Sequence, residues 1–282
     1  MTATPGDSVG LPGLVALALR AARDAGELLL RGWGSTLQVD TKSSSTDAVT
    51  NMDRASERLI VETIQCARPN DGMLGEEGGE RIGTSERRWI IDPLDGTINY
   101  IYGLPNWAVS IAVGSETQRS DEFSTWTALA GVVHMPAQQT TYVAELGRGA
   151  RRIDRNGTTQ LAPSECLDVS RALVGTGFSY DAVRRQDQGR VVATLLPQVR
   201  DIRRLGAASI DLCLVADGKI DAFYESGLAP WDRAAGELIA REAGVHVTAV
   251  AAHRVNDPQA ILLASCPGVA TALETLLTAA RT

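Results

Sequence analysis

The chain alternates between stretches of helical spacing and short apolar runs. Between residues 11 and 33, apolar side chains recur at Leu14, Leu17, Ala21, Ala25, Leu28 and Leu29, a helical stripe that Gly32 and Gly34 end. A polar, Ser-rich loop is predicted over 40–50. A second helix should then run from Asp53 to Ala67, with Leu59, Ile60, Ile64 and Ala67 on one face and Pro69 beyond its end. Short strands follow: Met73 to Gly75, the continuous apolar run Trp89-Ile90-Ile91, and residues 107–114, 129–135 and 140–146. Asn156-Gly157 marks a hairpin. In the C-terminal half, strands are predicted over 173–175, 220–224, 245–250 and 260–264, with an extended piece over 201–205. Helices are predicted there over 183–196, 207–216, 231–243 and 267–280, and Gly218 and Gly244 serve as caps. Strands and helices are mixed throughout, without a repeat or a long linker. The class is therefore α/β or α+β in stacked layers. It reads as one domain, with an N-terminal half over about 11–150 and a C-terminal half over about 151–282.

At 282 residues the chain can bury a core without a disulfide or a structural metal. Lys plus Arg is 27 and Asp plus Glu is 34, a net charge of −7 that argues against a nucleic-acid or anionic-membrane binder. A small anionic substrate stays compatible, because a bound metal reverses the local charge. No run approaches the ~18 apolar residues of a membrane-spanning helix. Residues 1–13 lack a basic segment followed by an apolar one, so no signal peptide is expected. Cys66, Cys166, Cys213 and Cys266 are far apart and outside any CxxC pair, which reads as reduced thiols in a cytoplasmic protein rather than a zinc site. His134, His246 and His253 fall in no ligand pattern.

The chemistry concentrates in RWIIDPLDGTINY, residues 88–100. An apolar strand ends in Asp92, Pro93 keeps the chain extended, and Asp95 precedes Gly96, which permits a tight turn. Two carboxylates at the end of a buried strand repel each other unless a cation neutralises them, and hard oxygen ligands select Mg²⁺ or Mn²⁺. Thr97 opens a short helix whose free N–H groups suit phosphate. Asp53 at the start of the second helix, Glu76-Glu77 between glycines, and Asp232 after Trp231 are the further acids that complete such a site. Read singly, each is an ordinary helix cap or a solvated turn.

Together these residues resemble the inositol monophosphatase family of Mg²⁺-dependent, lithium-sensitive sugar phosphatases. WIIDPLDGTINY matches the pattern W-[IV]-[IV]-D-P-[IL]-D-G-T-x-N-[FY], and WDRAAG (residues 231–236) matches W-D-x-A-A-G. GEEGG (75–79) and KSSSTDAVTNMD (42–53) follow the family in the same order. The resemblance implies a layered αβαβα fold. It implies two or three Mg²⁺ ions, with ligands at Glu76, Asp92, the Leu94 carbonyl, Asp95 and Asp232, and a third, weaker ion near Glu76. Asp53 and Thr97 match the pair that activates the attacking water, Gly96 and Thr97 the backbone that receives phosphate, and Gly206, Ala208 and Glu225 the substrate pocket. Lys42 reads equally as part of a loop that closes over the metals and as a solvated surface lysine. A homodimer is expected, with Trp107, Phe123 and Trp126 as candidate apolar surface, while Trp107 reads at least as well as a core position of its strand.

The implied reaction is hydrolysis of a small phosphate monoester, inositol 1-phosphate first. Relatives acting on histidinol phosphate or fructose 1,6-bisphosphate share the same motifs. Relatives that cleave 3′-phosphoadenosine 5′-phosphate carry an acid where Asn99 stands here, which counts against that substrate. A regulatory binding protein on the same fold is the alternative from another class.

Overall fold

The computed structural model describes residues 11–35, 39–41, 48–116, 126–250 and 260–281. Five layers stack as helices, sheet, helices, sheet, helices, which is the expected αβαβα order. The helices are α1 (Leu11–Gly32), α2 (Asn51–Ala67), α3 (Thr97–Ile101), α4 (Ala182–Leu195), α5 (Ala208–Ala216), α6 (Pro230–Glu242) and α7 (Ala270–Ala279).

An eight-stranded sheet is built around Arg87–Asp95, which pairs antiparallel with Ala108–Glu116 and parallel with Gly72–Gly75. Away from its bulges, its strands alternate. Trp89, Ile91, Val109, Ile111, Val132 and Val143 face α1 and α2, whereas Ile90, Ala108, Ala112, Val133 and Tyr142 face α5 and α6. The second face of the α5–α6 layer packs on a five-stranded sheet through Phe223, Leu262 and Ala264. α4 and α7 close the far side through Leu195, Leu273 and Leu277. α5 is therefore covered all round, which explains its nearly continuous apolar sequence.

Several boundaries differ from the sequence expectation. Part of the expected 40–50 loop is instead strand: residues 39–41 and 48–50 form an antiparallel ladder, Val39 opposite Thr50, that leads straight into α2; residues 42–47 lie outside the described residues. The strand expected to end at Asp92 continues through Pro93 to Asp95. A bulge between Asp92 and Asp95 absorbs one residue against Ser110–Ala108, which is how a proline fits inside this sheet. The hairpin turn is Arg155-Asn156 rather than Asn156-Gly157, because Gly157 already pairs with Asp154. On α2, Ala67 is exposed, and the buried face is Asp53, Ser56, Glu57, Ile60 and Ile64.

Trp107, offered as dimer surface, is fully buried. It lies edge-on to Trp33 (5.6 Å) and Tyr100 (5.1 Å), and the Tyr100 hydroxyl donates to the Leu29 carbonyl at 2.7 Å. This cluster fixes α3 against α1. Trp126 is half-buried and donates its ring N–H to the Arg88 carbonyl at 3.2 Å; Phe123 and His253 lie outside the described residues.

His134 is structural. Its Nδ1 lies 2.9 Å from Thr141 Oγ1, and a Cβ on Gly26 of α1 would fall 2.7 Å from its ring. Burial, reinforced by the Arg23 charge, pushes its pKa down from 6.5 to about 4. The ring is thus neutral in the fold and takes a proton first in the unfolded chain. The associated stability is present above pH ~6.5 and is lost as pH falls toward ~4, at most roughly 3 kcal/mol. His134→Gln should flatten this slope. Urea unfolding of both proteins at pH 7 and pH 5 measures it, and parallel slopes would assign the acid lability to other groups.

Candidate active site

The site forms where parallel strands of both sheets run out at their C-terminal ends, the usual location for a ligand crevice in such sheets. In the large sheet, Gly72–Gly75 delivers Glu76, and the adjacent Arg87–Asp95 delivers Asp92 and Asp95. In the small sheet, Leu173–Thr176 lies parallel to both Asp201–Arg203 and Ala222–Ser226. Their ends deliver Gly177, Arg204 and Glu225. The first turn of α6 adds Asp232. These residues line one cavity of about 130 Å³, together with Leu94, Gly96, Thr97, Gly206 and Ala208. Every candidate read from the sequence therefore faces this space except Glu77, which is not part of the lining, Asp53, which lies one residue layer behind Thr97, and Lys42, which is outside the described residues.

Asp53 occupies the third position of α2. Its Oδ2 accepts from the Thr50 backbone N–H at 2.9 Å and from the Thr50 hydroxyl at 2.5 Å, while Thr50 Oγ1 in turn receives the Met52 and Asp53 N–H groups. Its Oδ1 accepts from Thr97 Oγ1 at 2.9 Å, and that hydroxyl also lies 3.0 Å from the Leu94 carbonyl. Thr97 starts α3 because Gly96 turns the chain with φ +88°; a Cβ there would also meet the Asn106 carbonyl at 2.8 Å.

Asp92, Asp95 and Asp232 are each tethered by a backbone N–H. Leu94 N donates to Asp92 at 3.1 Å, Ser209 N to Asp95 at 2.8 Å, and Ala229 N to Asp232 at 2.6 Å. The Asp95 bond reaches across to α5, whose own N-cap, Ala207, has no side-chain acceptor. Asp95 therefore caps a helix from another layer, and Ser209 Oγ donates to the same oxygen at 2.5 Å. Asn99 donates to the Leu205 carbonyl at 2.8 Å and the Asn106 carbonyl at 2.6 Å, which holds the segment before Gly206. Glu225 lies inside strand Ala222–Ser226, opposite Leu262, rather than after it.

Burial and mutual repulsion dominate the electrostatics. Desolvation, followed by the charges of Glu76, Asp95 and Asp232, drives the Asp92 carboxyl far above its usual range. Asp232 is raised strongly by burial and then by Asp95 and Glu76, with the Ala229 N–H opposing. Burial lifts Asp95 to about 6 against the pull of the Ser209 hydrogen bonds. Burial lifts Glu225 to about 7 against Arg204. Arg204 is the only cationic side chain among the described residues lining the cavity.

This donor set suits a hard cation. The described lining carries several carboxylates and no His or Cys, and its acids hold one another in a protonation state that a bound positive charge would reverse. Among the described residues, no three His, Cys, Asp or Glu side chains already meet as a closed ligand set. The carboxylates line the walls of the cavity and do not converge on a point.

The sequence reading missed four residues here. Glu57, one turn after Asp53 and 6% exposed, accepts from the Glu77 N–H at 2.8 Å and so holds the Gly75–Gly79 turn that carries Glu76. Ser209, Arg204 and Asp211 are the others. The polar half of α2 reads as a solvated face in the sequence, and the other three sit outside any motif.

The chain belongs to the inositol monophosphatase family, whose model matches residues 13–281. It is 42% identical over 239 residues to "Inositol-1-monophosphatase SuhB" of Mycobacterium tuberculosis, covering 82% of this chain and 78% of that one. It is 39% identical over 231 residues to "Nus factor SuhB" of Escherichia coli, covering 81% and 82%. Among solved structures, the extragenic suppressor protein suhB of Bartonella henselae superposes with a TM-score of 0.83 at 34% identity, over 94% of this chain and 98% of that one.

The charge cluster gives a test that needs no turnover. Removing one of several repelling buried carboxylates should not destabilise the metal-free protein. Asp92→Asn is expected to melt in EDTA at or above the parental temperature and to lose most of the stabilisation that Mg²⁺ gives the parent. A large drop in EDTA, with the Mg²⁺ increment retained, would make Asp92 a structural acid.

Proposed function

We propose that the protein hydrolyses inositol 1-phosphate to myo-inositol and phosphate in a Mg²⁺-dependent reaction. The observation that carries this reading is the chain Thr50–Asp53–Thr97, which opens on a cavity walled by Glu76, Asp92, Asp95 and Asp232. Thr97 has one hydroxyl proton. Donated to Asp53, it leaves the oxygen lone pairs to accept a hydrogen bond from a water in the cavity. Thr97 thereby orients the nucleophile, and Asp53 receives its proton through the hydroxyl. Asp53 holds that position because Thr50 and the start of α2 occupy its other oxygen.

Glu76, Asp92 and the Leu94 carbonyl would hold one cation, and Asp92, Asp95 and Asp232 a second. When bound, Mg²⁺ or Mn²⁺ would polarise the phosphoryl group and neutralise charge on the leaving oxygen. The backbone at Gly96 and Thr97 would receive the phosphate. Gly206, Ala208 and Glu225 would meet the alcohol part. The four separated thiols support a cytoplasmic location. Among the described residues, no helix is long and apolar enough to cross a membrane.

Phosphate release from inositol 1-phosphate, with Mg²⁺ and with EDTA, tests the reaction directly. Within it, Glu225 should recognise hydroxyls, since its carboxylate lies in the wall beside the metal-binding acids. Charge-assisted hydrogen bonds are worth roughly 1.5–3 kcal/mol. Glu225→Gln should therefore lower kcat/KM for inositol 1-phosphate by about tenfold or more, and lower it much less for the hydroxyl-poor p-nitrophenyl phosphate. Equal losses on both would place Glu225 in support of the metal-binding acids.

A symmetric homodimer also belongs to this reading. Its candidate surface moves from Trp107 to the turn after α3, where Tyr102 (77% exposed) and Leu104 (52%) stand in solvent. Light scattering at micromolar concentration should give twice the chain mass, and a monomeric value would refute it.

A further inference from the structure

The buried face of α2 carries three polar side chains, and each reaches a different segment of the site. Asp53 meets the Thr97 hydroxyl. Ser56, fully buried, donates its hydroxyl to the Pro93 carbonyl at 2.8 Å. Glu57 accepts the Glu77 N–H at 2.8 Å. Pro93 stands between Asp92 and Leu94, and Glu77 follows Glu76. Ser56 and Glu57 therefore hold the chain neighbours of Glu76, Asp92 and the Leu94 carbonyl, the three groups read as ligands of one cation. Asp95 and Asp232, read as ligands of the other, are held from a different layer, by Ser209 of α5 and by the Ala229 N–H before α6.

Glu76 needs such a brace more than the aspartates do. It stands in the turn of a hairpin whose outer strand, Gly79–Arg81, is exposed and forms the edge of the large sheet. Its own N–H donates to the Ile91 carbonyl at 3.2 Å, which secures one end of the turn. Glu57 secures the next residue, and the turn leaves room for its carboxylate. A Cβ on Gly75 would fall 2.5 Å from Glu57 Oε2, and one on Gly78 would overlap Oε1. Neither glycine has a positive φ, so the backbone conformation alone does not call for glycine at either position.

We propose that Glu57 is a positioning residue for Glu76, and that it sets the affinity of the cation held by Glu76, Asp92 and the Leu94 carbonyl while leaving the Asp95–Asp232 side of the site unaffected. The proposal rests on the metal-dependent reading of the site. A carboxylate on a loose turn has to be ordered when the cation binds, whereas one on a braced turn has been ordered by folding. Residues that orient a metal ligand from behind typically contribute about 10–100-fold in metal affinity.

Calorimetric titration of the substrate-free protein with Mg²⁺ tests this as a double-mutant cycle. Glu57→Ala should weaken Mg²⁺ binding about tenfold or more, both in the parent and in an Asp232→Asn background. In a Glu76→Gln background it should cost no more than about threefold, because the ligand it acts through is gone. Gly78→Ala, at an exposed position, displaces the same carboxylate without touching α2. It should weaken binding in the same direction, and it replaces Glu57→Ala in the cycle if that variant folds poorly. In turnover, Glu57→Ala should raise the Mg²⁺ concentration for half-saturation and recover kcat to within about threefold of the parent when Mg²⁺ saturates. Unchanged Mg²⁺ binding in both variants, a loss as large without Glu76 as with it, or a kcat that excess Mg²⁺ fails to restore would overturn the assignment. A parent protein that binds no Mg²⁺ would remove the metal-dependent reading, and this proposal with it.

Discussion

The molecule is organised around buried negative charge. Asp92, Asp95 and Asp232 surround one small cavity with Glu76, and desolvation and repulsion together push the three aspartates toward their neutral forms. A fold tolerates such a cluster only if each carboxylate is immobilised and its remaining demand is met from outside. The backbone does the first. Every one of these aspartates, and Asp53 and Glu57 behind them, accepts a main-chain N–H from a strand end, a turn or a helix start. A cation bound in the cavity would answer the second, and in that sense the donor set suits a hard metal.

The layered architecture follows from delivering those acids. Parallel strands bring several chain segments to the same edge, and two such edges, one in each sheet, meet at the cavity. The α5–α6 layer lies between the sheets, and the first turns of both helices point N–H groups at it. The bulge at Pro93 serves the same end. It lets Asp92 and Asp95 share one strand while both remain in the cavity wall.

The layers and the acids that wall the cavity were legible in the sequence because both are local. Helical stripes, apolar runs and the strings WIIDPLDGTINY and WDRAAG each lie within a few residues. The residues that brace the acids were not legible, because their partners are distant along the chain. Ser209 meets Asp95 across 114 positions, and Glu57 meets the Glu77 N–H across 20. Glu57 and Ser56 look like the wet side of an amphipathic helix until α2 is seen to bury them. Trp107 could be read as surface or as core, because nothing in its own strand announces Trp33 and Tyr100.

Asp95 also constrains how this sequence can drift. It closes the first turn of a helix to which it does not belong, and Ala207, the residue in the capping position, offers no oxygen of its own. A descendant that abandoned catalysis could shed Glu225 with little consequence for folding. Shedding Asp95 would leave the Ser209 N–H and hydroxyl without their acceptor at the centre of the molecule, a loss of roughly 1–3 kcal/mol for each orphaned group. Such a lineage would first have to gain a serine, threonine or aspartate at position 207. Until it did, the acid would persist after its chemistry had gone, and its presence alone in a distant relative would be weak evidence of activity.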